Sequence, residues 1–275
     1  MRKFSGYFPL IKRDKPTSSV FKFTFSAPEI ASSAHPGQFV QIRTSDNYFP
    51  LWPRPFSINS VDAVRGEISV IFKVFGCGTS QLAAMDEGRR VHILGPLGNS
   101  FPLLNDEKRV IMAAGGVGMP PLFFLANVSV DKGYPADRIV FISGARTKDN
   151  LLADRGLTDL GTNLRICTDD GSMGEKGTVV DLLEKEIQTD GEAVIYACGP
   201  TAMLARIDMT LVERKMRGFL SLEALMPCGY GICSGCAVRV RPPVDRGPID
   251  DNRDYHLKRV CVDGPVFRSG EVIWP

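Results

Sequence analysis

Four cysteines near the C-terminus constrain this chain more than any other feature of its sequence. Three follow the spacing C-x4-C-x2-C and a fourth comes later: Cys228, Cys233, Cys236 and Cys261. This is the plant-type arrangement for a [2Fe–2S] cluster, in which a tight loop supplies three thiolates and a distant residue supplies the last. Gly229, Gly231 and Gly235 lie between the cysteines, and a loop folded around inorganic sulfide needs such residues to turn its amides inward. The pattern predicts a [2Fe–2S] site.

A structural zinc site is the alternative interpretation of the same cysteines. Zinc sites usually present two pairs of closely spaced cysteines, whereas Cys228 and Cys261 have no close partner of their own in the sequence. The spacing therefore favours iron and sulfur. If the cysteines bound zinc instead, the chain would be a regulatory or scaffolding module rather than an enzyme.

The size and composition of the chain indicate a soluble globular protein. A length of 275 residues suggests two or three domains. A net charge of +2 does not indicate nucleic acid or a membrane surface as a partner. The sequence contains neither a signal peptide nor an apolar run of eighteen residues, so it predicts a cytoplasmic location. Seven cysteines, four of them in one constellation, fit a reducing compartment.

The first hundred residues have the pattern of an antiparallel Greek-key barrel, which we place over residues 1–102. Short alternating or β-branched runs are separated by turns rich in Gly, Pro, Ser and Asp. The predicted strands are Phe21–Ser26, Gln38–Thr44, Pro55–Asn59, Glu67–Phe75 and Arg90–Leu94.

Two motifs interrupt the barrel pattern. The motif from Arg54 to Ser57 combines a permanent cation, a rigid proline, an aromatic ring and a hydroxyl. The segment from Lys73 to Ser80 predicts a strand, a glycine loop and the start of a helix with Thr79 as its N-cap, where free amides would attract an anion. The second motif alone is compatible with a plain capped turn. Together, the cation, the aromatic ring and the anion site suggest a flavin dinucleotide.

From about Leu103 strands and helices alternate, which predicts a doubly wound parallel sheet over residues 103–218. The predicted strands are Arg109–Ala113, Ile139–Gly144, Leu164–Thr168 and Ala193–Cys198. The predicted helices are Leu122–Val130, Leu151–Arg155, Val179–Ile187 and Thr201–Arg217.

Two turns of this second region indicate a nucleotide site. Gly116 and Gly118 follow the first strand, although Pro121 stands where a dinucleotide fingerprint would have its third glycine. The segment Cys198-Gly199-Pro200 follows a later strand and precedes a helix, and open α/β sheets bind ligands along this edge. Cys198 taken alone would more often be a small buried core residue than a reactive thiol.

The order of these motifs resembles the ferredoxin–NADP reductase superfamily over residues 1–220. The resemblance implies that Arg54, Gly78 and Thr79 hold the pyrophosphate of FAD. It also implies a flavin ring bordered by two short stretches: Pro55, Phe56 and Ser57 in the first motif, and Ile71, Phe72 and Lys73 in the next strand. It further implies a nicotinamide nucleotide seated by two turns: Gly116, Gly118, Cys198, Gly199 and Pro200. Phe56 replaces the usual tyrosine of this motif, which removes one hydroxyl contact to the flavin.

Within the superfamily, the last 48 residues from Cys228 to Pro275 are too few for a complete ferredoxin domain on a linker. The predicted last strand, Phe219–Glu223, ends only a few residues before the first cluster ligand, Cys228. We therefore expect a small cluster domain at 219–275 that packs against the flavin domain. The cysteine pattern with its flanking residues, including Val260-Cys261-x-Asp263-Gly, resembles the electron-transfer subunits of heteromeric (type B) dihydroorotate dehydrogenases. Pro227 and a long charged loop after Cys236 depart from the plainest pattern, which leaves the identity of the partner open.

This resemblance implies electron transfer with a partner subunit that carries FMN and oxidises dihydroorotate to orotate in pyrimidine (UMP) biosynthesis. The assembly would be a heterotetramer of two plus two chains. Electrons would pass from FMN through the [2Fe–2S] cluster to FAD and then to NAD, with NADH favoured over NADPH. Arg146 and Lys148 follow the strand that ends at Gly144, where a 2′-phosphate could be met, although exposed basic residues after a strand more often form a solvated turn. Cys198 would position the nicotinamide. The alternative is that the same cofactors serve a hydrogenase or a ferredoxin:NAD(P) oxidoreductase complex.

Overall fold

A computed structural model describes residues 2–152, 155–189, 192–242 and 255–275. Its N-terminal part is built from β1 (Phe4–Asp14), β2 (Val20–Ser26), β3 (Phe39–Ile42), β4 (Arg54–Asp62), β5 (Glu67–Lys73) and β6 (Arg90–Leu97). These strands close into an antiparallel barrel in the order β1-β2-β5-β4-β3-β6. Two short helices, α1 (Pro28–Ala31) and α2 (Cys77–Ala83), follow β2 and β5. The predicted barrel is confirmed.

Aromatic side chains fill the barrel because they alternate along its strands. Phe21, Phe23 and Phe25 occupy every second position of β2 and are all buried. The ring of Phe72 on β5 meets Phe23 edge to face, with their centroids 5.1 Å apart. Burying a ring of this size stabilises the fold by about 1.5–3 kcal/mol. The barrel is therefore a packed core, and any ligand must bind on its outside or at its ends.

The sequence patterns missed β1, which pairs with both β2 and β6 and so closes the barrel. Phe8 and Leu10 are its buried side chains, and Pro9 stands between them. A strand with only two buried positions and a proline between them gives too little alternation to be recognised.

The second part of the chain alternates strands with helices. Its strands are β7 (Val110–Gly115), β8 (Ile139–Ala145), β9 (Asn163–Thr168), β10 (Glu175–Lys176), β11 (Val194–Cys198) and β12 (Gly218–Ser221). Its helices are α3 (Met119–Asp131), α4 (Arg155–Asp159), α5 (Val179–Thr189) and α6 (Thr201–Glu213). The strands are parallel in the order β10-β9-β8-β7-β11-β12, which confirms the predicted sheet. The helix predicted over Leu151–Arg155 begins only at Arg155, and residues 153–154 lie outside the described residues.

The strand order places the two nucleotide motifs side by side. β7 ends at Gly115 and β11 ends at Cys198. These two strands are neighbours in the sheet, since Val110 pairs with Val194, although the two residues are 84 positions apart in the chain. The strand order reverses direction here, and open α/β sheets bind their ligands at such a switch point.

The C-terminal segment folds back onto both preceding parts. β13 (Ala237–Val240) and β14 (His256–Arg259) form a hairpin ladder, and β15 (Val266–Arg268) joins the large sheet antiparallel to β12. The prediction that Phe219–Glu223 is the last strand was therefore wrong. The domain boundaries stay a prediction, because the sheet takes strands from both sides of residue 218. Residues 243–254 of the predicted charged loop lie outside the described residues.

Two polar side chains fasten this segment. The buried carboxylate of Asp208 on α6 accepts hydrogen bonds from the Gly270 amide and the Trp274 indole, each at 2.7 Å. Asn99, just after β6, bonds both the amide and the carbonyl of Val266, at 2.9 and 2.8 Å. These bonds fix the cluster segment relative to the barrel and the sheet. Within the described ranges, every helix is too short or too polar to cross a membrane.

Candidate functional site

The four predicted cluster cysteines come together as two pairs. The side chain of Cys228 interacts with that of Cys233, and the side chain of Cys261 interacts with that of Cys236. Cys228 and Cys261 are also near enough for their charges to interact. Among the described residues, no three His, Cys, Asp or Glu side chains are arranged to hold a single metal ion. Two pairs of thiols suit two irons with two thiolates each better than one zinc.

Backbone amides point at the sulfur atoms of this loop. Burial raises the pKa of the Cys228 thiol, but the amides of Cys233, Tyr230 and Ile232 outweigh it and bring the pKa to about 6. The amide of Gly235 also donates to Cys233 Sγ at 3.4 Å. Such amides stabilise thiolates and the negative charge of an iron–sulfur cluster. The chemistry of this donor set therefore fits a [2Fe–2S] group.

Positive φ angles give the loop its inward curvature. Gly229, Gly231 and Ser234 have φ values of +77°, +92° and +55°. A Cβ at Gly229 would also lie 2.5 Å from Cγ of Gln41, so the glycine is required for space as well as for conformation. Gly235 does not adopt a positive φ among these residues, so the sequence interpretation holds for two of its three glycines.

A buried glutamine seats the cluster loop on the barrel. Gln41 on β3 is 1% exposed, and its side-chain amide donates to the carbonyl oxygen of Met226 at 2.6 Å. Met226 lies two residues before Cys228. The loop is thus held directly against the barrel, as the short spacing between the last sheet strand and the first cysteine predicted.

A cavity of about 370 Å³ lies where the barrel, the sheet and the cluster segment meet. Its walls include most of the residues predicted to border the flavin and the nicotinamide: Pro55, Phe56, Ser57, Ile71, Phe72, Lys73 and Cys198. Val117, Ser221, Glu223 and Met226 are among the other residues that line it. The cavity is mainly apolar with a few polar groups, which is the usual character of a cofactor site.

Phe56 contributes to this cavity from inside the barrel. Its ring is 8% exposed and packs against Phe72 with the centroids 5.4 Å apart. Ser57, the next residue, is partly exposed on the cavity wall. Of these two neighbours on β4, the hydroxyl of Ser57 is therefore more accessible than the aromatic ring of Phe56.

The predicted pyrophosphate residues meet at the end of the barrel. A Cβ built on Gly78 would lie 3.1 Å from Nε of Arg54 and 3.3 Å from Oγ1 of Thr44, so the glycine lets these groups approach each other. The Arg54 guanidinium also donates to the carbonyl of Trp52 at 2.6 Å. An arginine guanidinium next to backbone amides, as at Arg54 and Gly78, is suited to binding a phosphate anion.

Thr44 was missed in the sequence, where nothing distinguishes it from a strand threonine. It is 2% exposed, and its hydroxyl oxygen has no hydrogen-bond partner within the described part of the chain. Buried hydroxyls are normally satisfied. Its position beside Arg54 and Gly78 makes it a candidate ligand for the group that those residues bind.

The prediction that Thr79 is the N-cap of α2 was wrong. Gly76 is the N-cap, and the Thr79 hydroxyl accepts hydrogen bonds from the amides of Gly76 and Phe75 at 3.1 and 2.8 Å. A side chain three positions into a helix can reach back to the capping residue, which is the geometry of a capping box. The hydroxyl of Thr79 is thus engaged within the protein, and its backbone amide is what remains for a ligand.

The two glycine motifs of the sheet touch each other through their backbones. A Cβ on Gly118 would lie 2.1 Å from the carbonyl oxygen of Cys198, and a Cβ on Gly199 would lie 3.1 Å from Cα of Gly115. Neither contact would accommodate a side chain without displacement. The glycines of this site therefore permit close packing, while Gly116 and Pro200 line the adjoining cavity.

That adjoining cavity, of about 540 Å³, runs along the carboxyl edge of the sheet. It shares Lys73 and Val117 with the cavity beside Ser57, so the two cavities are adjacent. Lys73 on β5 crosses to the sheet, where its Nζ donates to Asn150 Oδ1 at 2.5 Å. The cavities that the predicted flavin and nicotinamide residues line therefore lie side by side.

Cys198 lies at the junction as a buried thiol that is 3% exposed. Burial, followed by the nearby charge of Glu223, raises its pKa far above the ordinary value, while a hydrogen bond with Ser221 partly offsets this. Burial also raises the pKa of the Glu223 carboxyl. Part of this side chain is nevertheless exposed to solvent, and it lines the cavity. Cys198 is a neutral thiol at physiological pH, which suits a contact or positioning role better than nucleophilic attack.

The barrel, the doubly wound sheet and the thiol loop define a protein of the ferredoxin reductase type with an added iron–sulfur segment. Family models match two parts of the chain. The iron–sulfur cluster binding domain of dihydroorotate dehydrogenase B matches residues 223–273. The oxidoreductase NAD-binding domain matches residues 112–208.

Curated relatives identify the family. The dihydroorotate dehydrogenase B (NAD(+)) electron transfer subunit of Desulforamulus reducens is 38% identical over 260 residues, which is 93% of each chain. The subunit of the same name from Shouchella clausii is 33% identical over 99% of this chain and 100% of its own. The chain belongs to the family of dihydroorotate dehydrogenase B electron transfer subunits.

Solved structures agree with this assignment. A chain of an NADH-dependent reduced ferredoxin-NADP oxidoreductase, studied for flavin-based electron bifurcation, is 30% identical with a TM-score of 0.83, covering 98% of this chain and 90% of its own. The cytochrome b5 reductase domain of Ulva prolifera nitrate reductase is 19% identical with a TM-score of 0.64, covering 78% of this chain and 94% of its own. The second similarity shows the shared fold alone.

Proposed function

We propose that this chain transfers electrons between a catalytic partner subunit and NAD, by way of a [2Fe–2S] cluster and FAD, during the oxidation of dihydroorotate to orotate. The step belongs to pyrimidine (UMP) biosynthesis. Family membership supports the reaction, and one structural observation supports the route. The nicotinamide cavity, the flavin cavity and the cluster loop are contiguous, because Lys73 and Val117 border both cavities and Met226 joins the flavin cavity to the loop.

The order of these three sites suits the chemistry that the cofactors supply when bound. A nicotinamide exchanges two electrons as a hydride, an iron–sulfur cluster exchanges one at a time, and a flavin does both. The flavin must therefore lie between the other two. The cavity beside Ser57 has this intermediate position, since Cys198 borders it on one side and Met226 on the other.

The proposed roles of individual residues follow their positions. Cys228, Cys233, Cys236 and Cys261 are the proposed cluster ligands. Arg54, Thr44 and the backbone at Gly78 and Thr79 would hold the FAD pyrophosphate, and the residues from Pro55 to Ser57 and from Ile71 to Lys73 would border its ring. Gly116, Gly118, Cys198, Gly199 and Pro200 would shape the nicotinamide site, with Cys198 positioning the ring as a neutral thiol.

The partner in this proposal is an FMN-containing catalytic subunit, in a heterotetramer of two plus two chains. It would supply the dihydroorotate site, because the relatives of this chain are named as electron transfer subunits. We also propose a cytoplasmic location, which is supported by seven free cysteines.

A second candidate function keeps the same cofactors but changes the partner. The similarity to the NADH-dependent reduced ferredoxin-NADP oxidoreductase, at 30% identity and a TM-score of 0.83, favours it specifically. The two candidates predict different companions: an FMN protein that oxidises dihydroorotate, or a ferredoxin-linked flavoprotein. Affinity purification of the tagged chain from its own cells, followed by an assay of the companion for dihydroorotate oxidation, separates them.

The route is tested with Cys233→Ser, and the matched control is Cys77→Ser, which removes another exposed thiol away from the cluster loop. We expect Cys233→Ser to lose most of its iron, keep FAD and still reduce ferricyanide with NADH. With the partner subunit present, it should lose dihydroorotate-dependent NAD+ reduction by at least about a hundredfold, whereas Cys77→Ser should retain it. Undiminished coupling in Cys233→Ser, or dihydroorotate turnover by this chain alone, would contradict the proposed route.

A further inference from the structure

Four large apolar side chains are exposed together in the loop between β3 and β4. Tyr48, Phe49, Leu51 and Trp52 lie within five residues of one another, and the first of them is 88% exposed. Single exposed apolar residues are common on soluble proteins, whereas a contiguous apolar patch usually marks a site of interaction. The sequence analysis assigned no role to this loop.

The exposed loop borders a cavity that the cluster loop also lines. This cavity has a volume of about 660 Å³, and Cys228 and Tyr230 of the cluster loop are among its lining residues. Within the described part of the chain, no residue lines both this cavity and the flavin cavity. A group that fills it therefore meets a proposed cluster ligand without entering the flavin site. We call the apolar side chains around it the apolar face: Tyr48, Phe49, Leu51, Trp52 and Tyr230.

The cavity beside the apolar face is positively charged. Lys3 and Arg43 line it, and none of its described lining residues is an aspartate or a glutamate. Nε of Arg43 donates to the backbone carbonyl of Ser45 at 3.0 Å, and Lys3 forms no ion pair with the described residues. Asp46, the acidic residue of the adjoining loop, is paired with Arg89 at 2.6 Å. The two cations therefore remain without an acidic partner among the described residues.

We propose that the apolar face docks the catalytic partner subunit, and that this subunit places an acidic side chain of an apolar segment beside Lys3 and Arg43. Tyrosine and tryptophan are enriched at the energetic centre of protein interfaces, and opposite charges fix the orientation of the partners. Electron transfer between protein-bound groups slows steeply with distance, so the subunit that exchanges electrons with this chain has to approach Cys228 closely. The identity of the occupant rests on the proposed function.

Binding is measured by calorimetry between the chain loaded with FAD and cluster and the FMN-containing subunit that co-purifies with it. We expect Tyr48→Ala and Trp52→Ala each to weaken binding by about 10- to 100-fold, and Lys3→Glu by at least about tenfold. The matched controls, which we expect to change the Kd by less than about threefold, are Val64→Ala in the exposed turn between β4 and β5 and Lys132→Glu after α3.

Iron content, flavin absorbance and NADH-dependent ferricyanide reduction of all these variants should remain those of wild type, because their side chains lie outside the flavin and nicotinamide cavities. Tyr48 and Lys3 are exposed side chains, so the test does not depend on the folding of the Trp52→Ala protein.

A photo-crosslinker reports the contact directly. With p-benzoylphenylalanine at position 48, irradiation of the complex should join this chain to the partner subunit, whereas the same group at position 64 should not. Mass spectrometry then identifies the cross-linked partner peptide, which should contain an aspartate or a glutamate among apolar residues. A peptide without an acidic residue would contradict the proposed charge pairing.

The proposed function and this inference fail in different ways. If no companion of the wild-type chain oxidises dihydroorotate, the proposed function is wrong and the occupant named here is wrong with it. If the FMN-containing subunit binds Tyr48→Ala and Trp52→Ala as tightly as Val64→Ala, the function stands but the apolar face does not dock the partner. Self-association of the isolated chain that these variants abolish would make a second copy the occupant, and would also overturn the inference.

Discussion

Replacing Thr44 with valine tests the proposed FAD site through two effects of opposite sign. Thr44 is 2% exposed, and its hydroxyl has no partner among the described residues. Valine has nearly the same shape but lacks the hydroxyl. In the protein without flavin, the substitution therefore removes an unsatisfied buried polar group. In the protein with flavin, it would remove the hydrogen bond that we propose between Thr44 and the pyrophosphate.

The magnitudes follow from the burial of this group and from the charge of its expected partner. A buried polar group without a partner costs about 1–3 kcal/mol, so Thr44→Val should stabilise the flavin-free protein by about 1 kcal/mol. For a chain of this size that corresponds to a rise in Tm of about 2–4 °C. A hydrogen bond to a charged group contributes about 1.5–3 kcal/mol, so the affinity for FAD should fall roughly 10- to 100-fold.

The assay measures Tm with and without FAD and the Kd of FAD by quenching of flavin fluorescence. Thr44→Ser keeps the hydroxyl and is the control for affinity, while Arg54→Ala removes the neighbouring cation and should weaken FAD by a comparable factor. A Thr44→Val protein that is less stable without flavin and binds FAD as tightly as wild type would refute the placement of the pyrophosphate at this end of the barrel.

Two further predictions concern the sheet side of the site. Gly118→Ala places a Cβ 2.1 Å from the Cys198 carbonyl oxygen, so it should raise the KM for NADH at least about tenfold while flavin content, measured by absorbance, stays that of wild type. Glu223 has a raised pKa because of burial, so its ionisation opposes folding at pH values above the ordinary Glu pKa and not below it. Glu223→Gln should accordingly raise the Tm of the flavin-free protein at pH 8 but not at pH 4, and an equal rise at both values would show that its charge is not the cause.

The sequence was most informative where the chemistry is local. The cluster loop lies within nine residues from Cys228 to Cys236, and its spacing reflects the reach of a chain that wraps two irons. The barrel strands were recognisable because their core is built from alternating large side chains such as Phe23 and Phe25. The glycine turn after β7 was visible because Gly116 and Gly118 lie only two positions apart in the chain.

Features that depend on distant contacts could not be predicted in this way. Thr44 is a candidate FAD ligand only because it lies beside Arg54 and Gly78, and these residues come together only when β3, β4 and α2 have assembled. β15 is three residues long and is a strand because β12 offers it a free edge. The N-cap of α2 was misassigned by three positions, to Thr79 instead of Gly76. A threonine can occupy the N-cap itself or stand at the third helical position and bond back to the N-cap, and the sequence does not distinguish the two.

The arrangement of cavities limits where one-electron and two-electron chemistry can meet in this chain. Gln41 anchors the carbonyl of Met226, and Met226 lines the flavin cavity two residues before the first cluster cysteine. Lys73 and Val117 line both this cavity and the adjacent cavity proposed for the nicotinamide. The cluster loop contributes no wall to the nicotinamide cavity within the described residues. A nicotinamide and a cluster bound at these positions therefore exchange electrons through whatever occupies the central cavity, and a flavin is the cofactor whose chemistry matches both neighbours.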